Sequence, residues 1–460
     1  MFANFFMKKR AWYLLAVLAI IAISVLTYWL VHLYQEKLPQ GYKQSDGIVS
    51  IQHWQMPSGL NVYFTAAPQL PMVDVRLVFN AGSAQDKNQL GIAALTNKLL
   101  LDGTAIKNAD AIAQLFDDNA IQVATDIDRD FAIIKLRSLT DTQVLPEAVD
   151  LLSEILHTVA FPEVAFTREQ QQLLTAIDYK QQDPEAIAQD LFFATLYGTH
   201  PYGSPVAGTK ESVSRLTRKD VQQFYADHYV ADKAVLVLVG DLSLAEAKKI
   251  ATRLDGALQV GTAPQNPVVV AAAASKQGQK FNYPSTQTHL YIGQLGINRH
   301  SPDYFPLLVG NHILGGGTLV SLLFDEVRNK RGLAYSVSSY FLPLQANGVF
   351  VMSLQSRTEE AAKALQVVQD TLKTFVENGP SAEQLIAAQK NLAGGFPLRI
   401  ANNGLIADYL AVIGFYDLPL DYLDTFAGKV NAVTLEQVKD AFARHVQPDN
   451  LLVVEVGKVE

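Results

Sequence analysis

The chain has 460 residues, of which 49% are hydrophobic and 18% charged, with a formal net charge of −8. That is too long for one ordinary domain and apolar enough to fill packed cores, so disorder as the main state is excluded. No basic run follows the first ten residues, which argues against nucleic acid as a partner; with no cysteine, disulfides, thiolate nucleophiles and Cys-ligated metal centres are also excluded.

At the N-terminus Lys8, Lys9 and Arg10 precede an uncharged run over 11–31. A helix of that length crosses a hydrocarbon core of about 30 Å. Trp12 and Tyr13 stand at one end and Tyr28, Trp29 and Tyr34 at the other, where amphipathic rings favour the interface. Bulky residues 28–31 occupy the place where a signal-peptide cleavage site would fall. The expectation is an uncleaved transmembrane anchor over 11–33. Residues 1–10 would then be cytoplasmic, the inner membrane would be a partner, and the body would lie in the periplasm beyond a polar connector, 34–47.

From there strand and helix patterns alternate. Strands are predicted at 59–64 and 73–80, the latter with period two and a candidate edge for an added peptide strand. Helices are predicted at 89–101, with Gly103 as a stop, at 108–119 and at 145–157, with a strand at 131–138. The segment 256–280 is rich in Ala, Pro, Gly and Val and nearly uncharged, which suits a linker.

An internal repeat supports that division. Thr217, Val221, Ala226, His228, Asp232 and Gly240 recur as Thr434, Val438, Ala443, His445, Asp449 and Gly457, all at one offset. Each set spans a predicted helix and a following strand, so both halves end on the same unit. The predicted fold is α+β with two duplicated domains: 48–257, a linker at 258–278, and 279–460. His228 and His445 look like a matched functional pair, but the reading favoured here is structural, a cation at the end of each helix.

The motif search is mostly negative. Of the nine histidines no two lie within ten residues of each other, so no HExxH or HxxEH helix exists. There is no G-x-S-x-G elbow, phosphate-binding loop or dinucleotide fingerprint either. The most distinctive string runs from Asn311 through Gly315, Gly316 and Gly317 to Arg328, Lys330, Arg331, Gly332 and Tyr335. Three glycines permit close backbone approach, the helix after them ends in a basic turn, and 333–342 reads as a strand carrying Tyr335.

This L-G-G-G…R-x-x-x-G-L-A-Y string resembles the insulinase-like M16 family of zinc peptidases, in the two-domain bacterial form related to mitochondrial processing peptidase. The likeness extends over about residues 48–457. It implies two LuxS/MPP-like domains, each an antiparallel-rich sheet packed with helices. Active members carry G-x-A-H-x-x-E-H-x-x-x-x-G-T in the first domain. Here Gly91, Ala93, Gly103 and Thr104 match, while the two zinc histidines fall on Ala94 and Lys98 and the general-base glutamate on Asn97. The third ligand falls near 169–176, with Ala176 the best register. An alanine cannot ligate, and a lysine ammonium repels a dication. The resemblance therefore implies a chain that binds no zinc and does not hydrolyse peptides with its own first domain.

The family's other catalytic element is present. The resemblance assigns Arg328 and Tyr335, seven residues apart, to substrate holding and stabilisation of the tetrahedral intermediate in the opposing subunit, and Gly315, Gly316 and Gly317 to substrate binding. It implies a heterodimer with an HxxEH-bearing M16 subunit that holds the zinc and cleaves peptides. The alternative is a membrane-anchored peptide-binding or scaffold protein of the same fold without a proteolytic role.

Overall fold

The structure, a computed structural model, describes residues 41–45, 47–265 and 278–458. From Lys43 onward the chain clusters as one compact unit. The first half contributes seven strands: β1 (Lys43–Gln44), β2 (Gln52–Gln55), β3 (Asn61–Ala66), β4 (Met72–Phe79), β5 (Gln122–Ile127), β6 (Ala132–Leu139) and β7 (Val235–Gly240). Its helices are α1 (Ile92–Leu99), α2 (Ala109–Asp118), α3 (Val144–Thr158), α4 (Glu163–Lys180), α5 (Pro184–Tyr197), α6 (Lys210–Arg215), α7 (Arg218–His228) and α8 (Leu244–Asp255). The second half contributes β8 (Gln279–Asn282), β9 (Gln287–Leu295), β10 (Ala334–Leu342), β11 (Val349–Arg357) and β12 (Leu452–Gly457). Its helices are α9 (Tyr304–Asn311), α10 (Ala361–Asn378), α11 (Ala382–Arg399), α12 (Asn403–Phe415), α13 (Tyr422–Asn431) and α14 (Leu435–His445).

The first sheet runs β1-β2-β3-β7-β4-β6-β5 and the second β10-β11-β9-β12-β8. In each, one pair is parallel (β3–β7, β12–β8) and the next three neighbours are antiparallel. Strand for strand, β3, β7, β4, β6 and β5 correspond to β8, β12, β9, β11 and β10. The repeated unit read from the sequence is thus α7–β7 and α14–β12. Thr217 and Thr434 open these helices in capping boxes, with Asp220 and Gln437 as their reciprocal partners.

The halves exchange helices. Phe192 and Ala188 of α5 pack with Tyr291, Val351, Val454 and Val456 of the second sheet. Helix α12 lies on the first sheet so closely that a Cβ on Gly414 would stand 2.6 Å from Val235 and 2.8 Å from Tyr63. Burying apolar faces in this crossed way joins two similar domains into one unit.

Two expectations are corrected. Residues 73–80 were expected to offer a sheet edge; β4 instead lies between β7 and β6 and is paired on both sides. Its run of buried residues reflects this central position, and the open edge beside α1 is β5. The second correction concerns the fold as a whole. The α+β two-domain architecture stands, but no helix among the described residues is long and apolar enough to cross a membrane. The longest, α4, α10 and α11, have 18 residues each and carry charged side chains along their length. The expected anchor at 11–33 lies outside the described residues, so the transmembrane helix is withdrawn from the fold and the membrane from the account of function.

Candidate functional site

The segment corresponding to the zinc motif folds as a turn followed by α1. Gly91 takes φ +89°, and a Cβ there would stand 2.7 Å from the carbonyl oxygen of Ala207, so the turn requires glycine. Asp86 accepts hydrogen bonds from the Gly91 N–H (2.7 Å) and the Ala93 N–H (3.0 Å), fixing the start of the helix. Burial pushes its carboxyl up to about 7 against those two bonds.

Along α1 every residue is buried except Lys98. Ala94 packs inside, and Asn97 Nδ2 lies 3.4 Å from the hydroxyl of buried Tyr229, a long contact. Lys98 projects to solvent in the last turn. Ala176 is exposed on α4. The carboxylates nearby in sequence are engaged elsewhere: Arg168 bridges Glu169 (3.0 Å) and Asp102 (2.5 Å). Among the described residues no group of three His, Cys, Asp or Glu side chains could hold a metal ion. The donor set at 94, 97, 98 and 176 does not fit zinc, and no step of hydrolysis is routed through it.

In the second half the triple-glycine segment is not a free loop. Residues His312–Gly316 form a π-helical turn against β10. A Cβ on Gly315 would stand 2.4 Å from Ser339 Oγ and 2.7 Å from its backbone nitrogen. Asn311 and Ser339 clamp the contact: Asn311 Nδ2 donates to the Ser339 carbonyl (3.0 Å) and Ser339 Oγ donates to Asn311 Oδ1 (2.7 Å). Gly315 is thus required by packing, while Gly316 is exposed and Gly317 half-buried. Beyond them Thr318 takes φ +49°, and Leu319 and Val320 are 67% and 79% exposed.

Arg328 and Tyr335 are brought together. Arg328 lies in a π-helical turn, Phe324–Asn329, and Tyr335 near the start of β10. Arg328 Nη1 donates to the Tyr335 carbonyl at 2.9 Å. Its guanidinium carbon lies 4.6 Å from the Tyr335 ring centroid and 4.8 Å from that of Phe324, so two rings hold the cation. The neighbouring cations are neutralised: Lys330 pairs with Asp325 and Glu326, and Arg331 with Glu326. Arg328 has no ion pair among the described residues, and its remaining N–H donors are available to a ligand. Tyr335 is 76% exposed. Phe324, Leu319 and Val320 escaped the sequence reading. An aromatic four residues before a functional arginine on one helical face was the available signal for the first.

The matched histidines do not form a site. His445 bonds Asp303 at 2.7 Å beside Arg444, which holds the Asp303 carboxyl down to about 2. His228 corrects the expectation of a helix-end cation. It is buried, neither ring nitrogen has a hydrogen-bond partner among the described residues, and burial lowers its pKa to about 4. It is a neutral core residue.

The family description "Insulinase (Peptidase family M16)" matches residues 61–210, and "Peptidase M16 inactive domain" matches 215–392. The chain is similar to the Helicobacter pylori protein named "Non-peptidase homolog YmxG", with 31% identity over 83% of this chain and 88% of that one. It is also similar to a Bacillus subtilis protein named "Uncharacterized zinc protease YmxG", with 24% identity over 84% and 94%. Among solved structures, the peptidase M16 inactive domain from Pseudomonas fluorescens superposes with a TM-score of 0.85 at 38% identity, covering 89% of this chain and 98% of that one. A protease from Helicobacter pylori shares the fold, with a TM-score of 0.81 at 17% identity over 89% and 100%. The relatives' names divide between peptidase and non-peptidase, and the residues at the metal positions decide which description suits this chain. It belongs to the insulinase (M16) peptidase family, as a homologue without the family's zinc-ligand set.

Proposed function

We propose that this chain is the non-catalytic subunit of a heteromeric M16 zinc peptidase, lending Arg328 and Tyr335 to a partner that carries HxxEH. The observation that carries the reading is the contrast between the two sites. The metal positions hold Ala94, Asn97, Lys98 and Ala176, none of which suits zinc. The second half nevertheless presents a guanidinium with no ion pair among the described residues, held by two rings, beside an exposed phenol. A fixed cation and a hydroxyl suit a carbonyl oxygen that gains negative charge during attack. A pure scaffold has no chemical need for this arrangement.

In this reading the exposed Leu319 and Val320, beside the triple glycine, form part of the wall that meets the peptide. The test is affinity capture of the tagged chain from its native cells, with co-eluting proteins identified and quantified. Recovery with a near-equal amount of an M16 chain bearing HxxEH, and peptidase activity in the eluate, is expected. Recovery of the chain by itself would overturn the proposal and move the weight to a peptide-binding scaffold.

A further inference from the structure

Residues 128–131 turn between β5 and β6, and the equivalent turn in the second half, 343–348, joins β10 to β11. The two turns meet at Asp130, which is 2% exposed. Its carboxylate accepts hydrogen bonds from the Tyr202 hydroxyl, from the Tyr416 hydroxyl at 2.8 Å and from the Gln345 N–H at 2.9 Å. Tyr202 follows α5, the helix that packs on the second sheet; Tyr416 ends α12, the helix that packs on the first. Gln345 belongs to the second-half turn itself.

Neighbouring contacts fasten the same turn. The Ala346 N–H donates to the Tyr202 hydroxyl at 3.3 Å, and the Tyr197 hydroxyl donates to the Asn347 carbonyl at 2.9 Å. On the first-half side, Ser83 and Ala84 donate their N–H groups to the carbonyls of Asp128 (3.0 Å) and Arg129 (2.9 Å). One buried carboxylate therefore joins both exchanged helices and the two equivalent hairpins.

These hairpins bear the open edges of the sheets, β5 beside α1 and β10 with Tyr335. We infer that Asp130 is a positioning residue: it fixes the separation and tilt of the two open edges, and through β10 the placement of Tyr335 and Arg328. The inference rests on the proposed subunit function for its catalytic consequence, and on geometry alone for the tie. Tyr335 and Gln345 are ten residues apart along a strand and its turn, roughly 30 Å at about 3.3 Å per residue. A tilt of about 5° at the tie then displaces Tyr335 by about 3 Å on that lever. A misplacement of about 1 Å is already enough to impair a catalytic group.

Asparagine keeps one acceptor oxygen for the Tyr416 hydroxyl and the Gln345 N–H, and its amide N–H can donate to the Tyr202 hydroxyl, whereas alanine leaves three buried donors without an acceptor. The natural chain has no cysteine, so Ala124→Cys on β5 and Ser336→Cys on β10, both at exposed positions, take spin labels cleanly. In the full chain, Asp130→Ala should shift or broaden the interspin distance distribution by about 3 Å, the displacement of that lever. Asp130→Asn should keep the parent distribution. Tyr416→Phe, which removes one donor with little change of volume, should give a smaller shift and serves if the alanine variant does not fold. An unchanged distribution in Asp130→Ala, or in Tyr416→Phe where alanine does not fold, overturns the tie. In the complex with the HxxEH partner, variants that shift the distance should lower kcat at least about tenfold with KM little changed, and Asp130→Asn should restore it. A shifted distance with unchanged kcat overturns the positioning role. Failure to form any peptidase complex overturns the proposed function and leaves the distance result to decide the tie.

Discussion

His228 provides a test of the structure that is independent of any partner. Its ring is buried, its centroid lies 4.1 Å from that of Phe224, and neither nitrogen has a hydrogen-bond partner among the described residues. Burial lowers its pKa from 6.5 to about 4; the smaller effects are Asp227, which raises it, and Lys87, which lowers it further. The folded chain therefore resists protonating a group that the unfolded chain protonates readily. The stability that neutral His228 provides is fully present above pH 6.5 and is lost as the pH falls toward 4. The full difference is about 3 kcal/mol, of which about 2 kcal/mol is lost between pH 8 and pH 5. Urea unfolding of the natural chain and of His228→Leu at a series of pH values isolates this share. Burial also lowers His53, His200, His289 and His312, but these remain in both proteins and cancel in the difference. The natural chain should lose about 2 kcal/mol more than the variant between pH 8 and pH 5. Parallel stability curves would refute the neutral, buried state of His228.

Two further predictions concern the glycines and the metal positions. Gly315→Ala places a methyl against Ser339 and should destabilise by about 1–3 kcal/mol, whereas Gly394→Ala, in α11 with nothing within 4 Å of the added carbon, should stabilise by about 0.5–1 kcal/mol; thermal melts that reversed this order would contradict the packing described for the triple-glycine segment. In zinc titrations, Ala94→His with Lys98→His should bind only weakly, and adding Ala176→Glu should tighten binding at least about tenfold; no gain from the glutamate would show that Ala176 is not the third-ligand position.

Much of this was legible in the sequence because it is local. Period-two alternation marked β4 as a strand, the repeated unit opening at Thr217 and Thr434 marked α7–β7 and α14–β12, and the helices at 109–118 and 144–158 fall within a residue or so of the predicted spans. The loss of the zinc motif was legible because Gly91 and Gly103 keep their places around it. What was not legible depends on partners distant in sequence. The central position of β4 is set by β7, some 160 residues later. The exchange of α5 and α12 leaves no periodic signal, since each helix buries its face on a sheet whichever half supplies it. Likewise Asp130 shows no motif; only the fold brings Tyr202, Gln345 and Tyr416 to it. The state of His228 followed from burial rather than from its place at a helix end, where the charge-based reading had put a cation.

The most direct test of the central claim is the turnover of an unfolded peptide by the complex of this chain with its HxxEH-bearing partner, measured with Arg328→Ala and Tyr335→Phe in this chain. Tyr335 is exposed and its hydroxyl makes no hydrogen bond among the described residues, so Tyr335→Phe should leave the chain's stability and its assembly unchanged. Both variants should cut kcat by about 10²-fold or more, as expected when a transition-state donor is lost. Unchanged turnover in an intact complex, with either variant, would contradict the assignment of Arg328 and Tyr335 to the partner's active site.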